Sequence, residues 1–319
     1  MTAATLTPTN ASTAVPTSPP RRRPYGGVVP EPVAPLDSGV VLGLYGPGGV
    51  GKTTLVGTLA DTELGYPVLL LNARGNPHVI SSRADRIDVI HIKRFSQLEK
   101  IREGVMADPR CPYRSIVLDT VTELFAMDCR DLYGPTADVR WEKYEAAVTD
   151  GIQLTRNWTD VAMTKGINIV FIYQEVTRSV TVGSQKVEAR SEILLSKTLK
   201  SHVGGIVTFL GRLYTTTDIP PRRVLDFTYN EMIHQVKFQV DPGDPVTSRM
   251  SSLQYDPSLA SILDTVRGRQ PWPTEKHQIR RAGRALNSPP PQPSPSAPPD
   301  SNDSNDSDNA SADAEPDTV

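Results

Sequence analysis

Between about residue 38 and residue 245 short apolar runs alternate with stretches of helical periodicity, a pattern that predicts a mainly parallel α/β sheet. The runs VVLGLY (Val40–Tyr45), PVLLLN (Pro67–Asn72), DVIHI (Asp88–Ile92), SIVLD (Ser115–Asp119) and NIVFIYQ (Asn168–Gln174) predict strands. Most are continuously apolar rather than alternating, as strands covered on both faces must be. Helices are predicted at Lys52–Ala60, Ser96–Met106, Thr120–Cys129 and Trp141–Thr164. After Ile206 the chain changes character. IVTFLGRLYTT, RVLDFTY and HQVKFQV read as hairpin-like strands and predict an antiparallel extension of the sheet at its C-terminal edge.

The two ends lack any such pattern. Residues 1–37 are rich in Thr, Ala, Ser and Pro, and residues 287–319 are Pro/Ser-rich and then Asn/Asp/Ser-rich, so both are expected to be disordered. The folded domain is placed at 38–265, with 266–286 as a basic short helix or linker. Charge divides the same way. The chain carries a net charge of −2, yet the seven acids after Asn287 are unmatched by any Lys or Arg, which leaves +5 on the remainder. A mildly basic body permits an anionic partner without requiring one. The acidic tail suits solvation or shielding of a basic groove, or the docking of a partner.

Cys111 and Cys129 are too far apart for a Cys-x-x-Cys motif, and the five histidines are scattered, so neither a disulfide framework nor a zinc site is suggested. No signal-like apolar run opens the chain and no segment approaches the roughly 20 apolar residues of a membrane span. The expectation is a soluble protein of a reducing cytoplasm.

The chemistry is concentrated in GLYGPGGVGKTTL, Gly43–Leu55. Gly46, Gly51, Lys52 and Thr53 fit G-x-x-x-x-G-K-[ST], with a predicted strand before and a helix after. Glycines allow the backbone N–H groups of Gly46, Pro47, Gly48, Gly49, Val50, Gly51 and Thr54, wherever the residue has one, to turn around a phosphate. Lys52 reaches the β- and γ-phosphates, and Thr53 offers a hydroxyl to Mg²⁺. Asp119, closing the apolar run SIVLD, is the second metal-organising group, unless it serves only to cap the helix that follows. The reading is a P-loop NTPase binding ATP and Mg²⁺.

Together, GPGGVGKTT, VLLLNARG, SIVLDTVTEL and NIVFIYQE resemble the RecA-type ATPase core over roughly residues 38 to 245, most of all the core-only phage proteins of single-strand annealing and recombination. That resemblance implies a RecA-like fold, self-association, engagement of single-stranded DNA and a single-strand-binding or replication protein as possible partner. It also implies that Gln174 senses the γ-phosphate and passes its state to a DNA-binding loop. One motif departs from the family. Where RecA-type proteins place a catalytic Glu after the second strand, this chain has Asn72, Ala73 and Arg74. A guanidinium cannot accept a proton. Arg74 is therefore either a phosphate or nucleic-acid contact or a solvated loop residue, and Glu123 and Glu175 are the remaining candidates for a base, each with an ordinary reading as a helix-face or loop charge. Hydrolysis is expected to be slow or conditional.

The segment after Gln174 carries Arg178, Lys186, Arg190 and Lys197 around Gly183 and matches the position of the RecA-type DNA loop. It lacks an aromatic for base stacking, so binding there would be electrostatic and salt-sensitive. A second basic stretch, PTEKHQIRRAGRALN, suits a short helix that binds DNA or a neighbouring subunit, or equally a solvated helix end merging into the tail. In RecA-type assemblies a basic residue completes the site across a subunit interface. Lys237 is the candidate for that finger, with Arg222 and Arg223 as rivals. The leading reading is thus an ATP-binding protein acting on single-stranded DNA. Its alternatives are an assembly or motor ATPase of helicase-loader or packaging type whose main partner is protein, and a small-molecule kinase.

Overall fold

A computed structural model describes residues 38–73, 75, 77–138, 144–182, 185–228, 236–238 and 251–269, with only the backbone described at 179–182, 185–190 and 238. The predicted N-terminal segment, the basic stretch from Pro273 and the acidic tail lie outside these residues, as does Arg74.

Among the described residues ten strands form one sheet. The strands are β1 (Val41–Gly46), β2 (Val68–Asn72), β3 (Ile87–His91), β4 (Ser115–Asp119), β5 (Asn168–Val182), β6 (Gln185–Ile193), β7 (Phe209–Thr215), β8 (Arg223–Asp226), β9 (Lys237–Phe238) and β10 (Leu253–Tyr255). Their order is β10-β8-β7-β1-β5-β4-β2-β3, with β6 paired to β5 and β9 to β7. From β7 to β3 the neighbours run parallel, and β8, β9 and β10 are added antiparallel; β7, expected in the antiparallel extension, instead joins β1 in parallel, because the helix Lys197–Ile206 before it provides the crossover that a parallel strand needs.

The continuous apolar runs reflect burial on both faces. On one face Val41, Tyr45, Leu69, Leu71, Ile116, Leu118, Ile169, Phe171 and Tyr173 pack under α2 (Gln97–Ala107), α3 (Val121–Tyr133), α4 (Glu145–Lys165) and α5 (Lys197–Ile206). On the other, Leu42, Leu44, Leu70, Val117, Val170 and Ile172 meet α1 (Lys52–Gly57) and α6 (Leu259–Val266). Alternation along each strand sends successive side chains to opposite layers, so both must be apolar. β3, at the edge, is only partly covered. Helix ends follow local chemistry: the Thr120 hydroxyl accepts from the Glu123 N–H at 3.2 Å to cap α3, and Gly166 closes α4 in the left-handed region. Gly151 lets α4 approach its neighbours, since a Cβ there would lie 2.9 Å from Leu199 and 3.2 Å from Phe125.

Two predicted segments differ. The helix expected over Lys52–Ala60 gives way at Thr58 to a 3₁₀ turn, Thr58–Asp61, where the Thr58 hydroxyl donates to Leu55 O at 2.6 Å and accepts from the Leu259 N–H at 2.8 Å. The loop expected after Gln174 is a two-stranded ribbon. β5 runs on to Val182 and pairs antiparallel with β6. The β-branched residues Val176, Thr177, Val180, Thr181 and Val182 explain this, being strand formers.

Candidate functional site

β1 and β4 end at one edge, which β5 crosses at Gln174, so that Gly46 lies opposite Gln174 and Asp119 lies between Ile172 and Asn72. Such a crevice at the carboxyl ends of parallel strands is where open α/β sheets bind ligands. Gly46 must be glycine, because a Cβ would sit 2.1 Å from Leu213 O. Gly49 and Gly51 hold φ of 76° and 93°, values that let the loop curl back on itself. Pro47, Gly48 and Gly49 are exposed, and Thr54 is half-buried.

Lys52 is buried and donates to Gly46 O at 2.7 Å and Pro47 O at 2.8 Å, so its ammonium lies at the mouth of the loop. Burial lowers its pKa, opposed by the charges of Asp119 and Glu175. Thr53 donates its hydroxyl to Asp119 Oδ2 at 2.6 Å. Burial raises the Asp119 pKa, against the Thr53 hydrogen bond and Lys52. A hydroxyl and a carboxylate in contact beside a phosphate loop suit Mg²⁺, which prefers hard oxygen ligands and takes the rest of its shell from phosphate and water.

Glu175 lies beside Gln174, and both its oxygens accept from Arg212, Nε and Nη2, at 2.8 Å each. Arg212 is the register partner of Tyr45 on β7, and the Glu175 hydrogen bond raises its pKa. Each oxygen of Glu175 thus has one acceptor site taken by a charged, bidentate guanidinium. Glu123, in the first turn of α3, accepts from Arg130 Nη2 at 3.0 Å. Gln174 has an exposed side chain, and its N–H donates to the Thr122 hydroxyl at 3.0 Å, tying this part of β5 to the helix that follows Asp119.

The basic residues disperse. Arg178 ion-pairs with Glu192, and Lys200 Nζ, from α5, meets the same carboxylate at 2.8 Å. Lys197 is exposed at the start of α5, and Lys186 and Arg190 lie on β6 with only their backbone described. Lys237 lies opposite Leu210, itself the partner of Gly43, well short of the site edge, and donates to Gly205 O at 2.9 Å; it does not reach this chain's own phosphate loop. Asn72, at the end of β2, donates to Gly75 O at 3.0 Å. Sequence reasoning passed over Arg212, Lys200 and Thr122. The Thr-x-x-Glu capping spacing around Thr122 and the single Arg in GRLYTT were the available signals.

A family described as AAA domain matches residues 38–235, more than half the chain. The chain belongs to that family. This AAA-domain protein has a mainly parallel sheet flanked by helices, with the phosphate-loop strand and the Asp119 strand separated by β5. It is similar to a crystal structure of the RadB recombinase, at 20% identity and a TM-score of 0.37, over 59% of this chain and 80% of that one. No curated protein matches it. Among the described residues no helix of this AAA-domain protein is long and apolar enough to cross a membrane.

Proposed function

We propose that this protein binds ATP with Mg²⁺ at the Gly46–Thr54 loop and uses the state of that nucleotide to control how the β5–β6 ribbon engages single-stranded DNA, in annealing or recombination. Lys52 and the loop amides hold phosphate, while Thr53 and Asp119 hold the metal, whose charge offsets that of the polyphosphate. One observation carries the reading. Gly46, which opens the phosphate loop, is hydrogen-bonded in register with Gln174, and the strand bearing Gln174 continues without a break into the ribbon. A shift at the loop has a direct backbone route to the ribbon. Hydrolysis is slow or conditional, since Arg74 cannot act as a base and Arg212 occupies Glu175. Self-association and a replication-protein partner complete the proposal.

Fluorescence anisotropy on labelled single strands tests it, with ATP, ADP or no nucleotide and across salt. Affinity should depend on nucleotide, fall steeply with salt, and lose its nucleotide dependence in Gln174→Ala. Tight binding indifferent to nucleotide would refute the coupling.

A second reading, an assembly ATPase acting on a protein, is favoured by charge. Between Glu175 and Ile193 the bases Arg178, Lys186 and Arg190 are balanced by Glu175, Glu188 and Glu192. Rings that form without DNA in a sizing experiment and retain none would select it.

A further inference from the structure

Arg222 and Arg223 adjoin at the start of β8, and consecutive strand residues point to opposite faces. Arg222 is committed elsewhere: its Nε and Nη2 donate to Asp256 Oδ2 at 3.2 and 3.1 Å, and its guanidinium lies 4.7 Å from the centre of the Tyr255 ring. Arg223 turns to the phosphate loop. A Cβ built on Gly51 would meet Arg223 Nη1 at 3.1 Å and its Cδ at 3.7 Å, with Thr54 Cβ 3.9 Å from the same point. The backbone of Arg223 is fixed from two sides, paired with Thr215 on β7 and accepting from the Asp256 N–H at 2.8 Å. Among the described residues no carboxylate pairs with its guanidinium.

The sheet order locates this cation relative to the metal end. β8 lies two strands from β1 on one side, and β4, with Asp119, lies two strands away on the other. Arg223 and the Thr53–Asp119 pair therefore flank the loop from opposite sides. Lys52 and the metal pair mark the γ-phosphate end, which leaves the Gly51–Thr54 side for the phosphates nearer the nucleoside. A guanidinium held against Gly51 presents a planar donor fork that suits a phosphate oxygen.

We propose that Arg223 is a nucleotide-binding residue acting within its own subunit, its guanidinium taking an α- or β-phosphate oxygen of the nucleotide on the Gly51–Thr54 side of the loop. This replaces the reading of Arg223 as a finger completing a neighbour's site. It rests on the nucleotide reading above.

Calorimetric titration of the full chain with Mg-ATP and with Mg-ADP tests it, on wild type, Arg223→Gln, Arg223→Lys and Arg222→Gln, each checked by thermal melting. Arg223→Gln should weaken both nucleotides equally, by about tenfold or more, the scale of a lost charge-assisted hydrogen bond. Arg223→Lys, which keeps the charge and loses the fork, should fall between. Arg222→Gln removes the same charge and should bind as wild type. Should Arg223→Gln fail to melt cooperatively, Arg223→Lys decides, and wild-type affinity in it sinks the proposal. A folded Arg223→Gln with wild-type affinity overturns the role. A loss confined to ATP overturns the placement, because it puts the contact at the γ-phosphate. If wild type itself binds neither nucleotide, the underlying nucleotide reading has failed instead.

Discussion

The Thr53 hydroxyl donates to Asp119 Oδ2 at 2.6 Å, joining two residues 66 positions apart in the chain. The pair exists because β1 and β4 end at the same edge of the sheet with one strand between them. It is the point at which the phosphate loop and the strand bearing Asp119 are mechanically one object.

Removing the carboxylate should separate metal from nucleotide. Asp119→Asn keeps the shape and the acceptor oxygen for Thr53 while deleting the charge, so nucleotide affinity should lose most of its dependence on Mg²⁺ while binding without metal changes little. Lys52→Ala should weaken binding with and without metal, by about tenfold or more. Titrations with and without Mg²⁺ separate the two, and equal metal dependence in wild type and Asp119→Asn would contradict the assignment of Asp119.

The strands were legible because their apolar runs feed two buried layers, and the loop because Gly46, Gly51 and Lys52 sit at a spacing few other needs produce. What was not legible depends on register. Nothing in RVLDFTY announces that Arg223 reaches Gly51, since that proximity is set by β8 pairing with β7 and β7 with β1. The ribbon was hidden for a different reason. Its Val and Thr residues are interleaved with charged and small polar ones, so mean hydropathy marks a polar loop where side-chain shape favours a strand. α6 carried a readable signal, Leu259, Ile262, Leu263 and Val266 at helical spacing, which the late strands around it obscured.

Arg212 holds Glu175 by two charge-assisted bonds at a largely buried position. Arg212→Ala strands the carboxylate and should cost about 3 kcal/mol of stability, whereas Arg212→Ala combined with Glu175→Ala should recover part of that loss. Chemical denaturation of the two single variants and the double variant gives the coupling. Additive losses would mean that the pair is not a unit.

Asp128, on α3, is buried, and its Oδ2 has no hydrogen-bond partner among the described residues. Burial first, then the charges of Asp150 and Asp131, raise its pKa to about 7. A carboxyl that binds its proton more tightly when folded contributes stability in full below the unfolded pKa, near 4, and loses it as pH rises through about 7. Asp128→Asn, permanently neutral, should match wild type near pH 4 and exceed it by on the order of 2 kcal/mol at pH 8. Melting curves from pH 4 to pH 8 measure the difference, and a gap that does not widen with pH would refute the shift.

Glu192 bears on what the ribbon recognises. Its carboxylate neutralises Arg178, which is exposed, and meets the ammonium of Lys200, which is buried. Glu192→Gln should therefore act in two directions. Stability should fall by about 1–3 kcal/mol, because Lys200 loses charge compensation inside the protein. Arg178, released, becomes available to a phosphate. If single-stranded DNA is the ligand, affinity at low salt should rise and the slope of log K against log salt should steepen by about 0.7, the increment for one added phosphate contact on a single strand. Anisotropy across a salt series reads that slope directly. An unchanged slope in a folded Glu192→Gln variant would place the ribbon outside the DNA interface and turn the balance towards a protein partner, because freeing a cation on a surface that touches phosphate cannot leave counterion release unaltered.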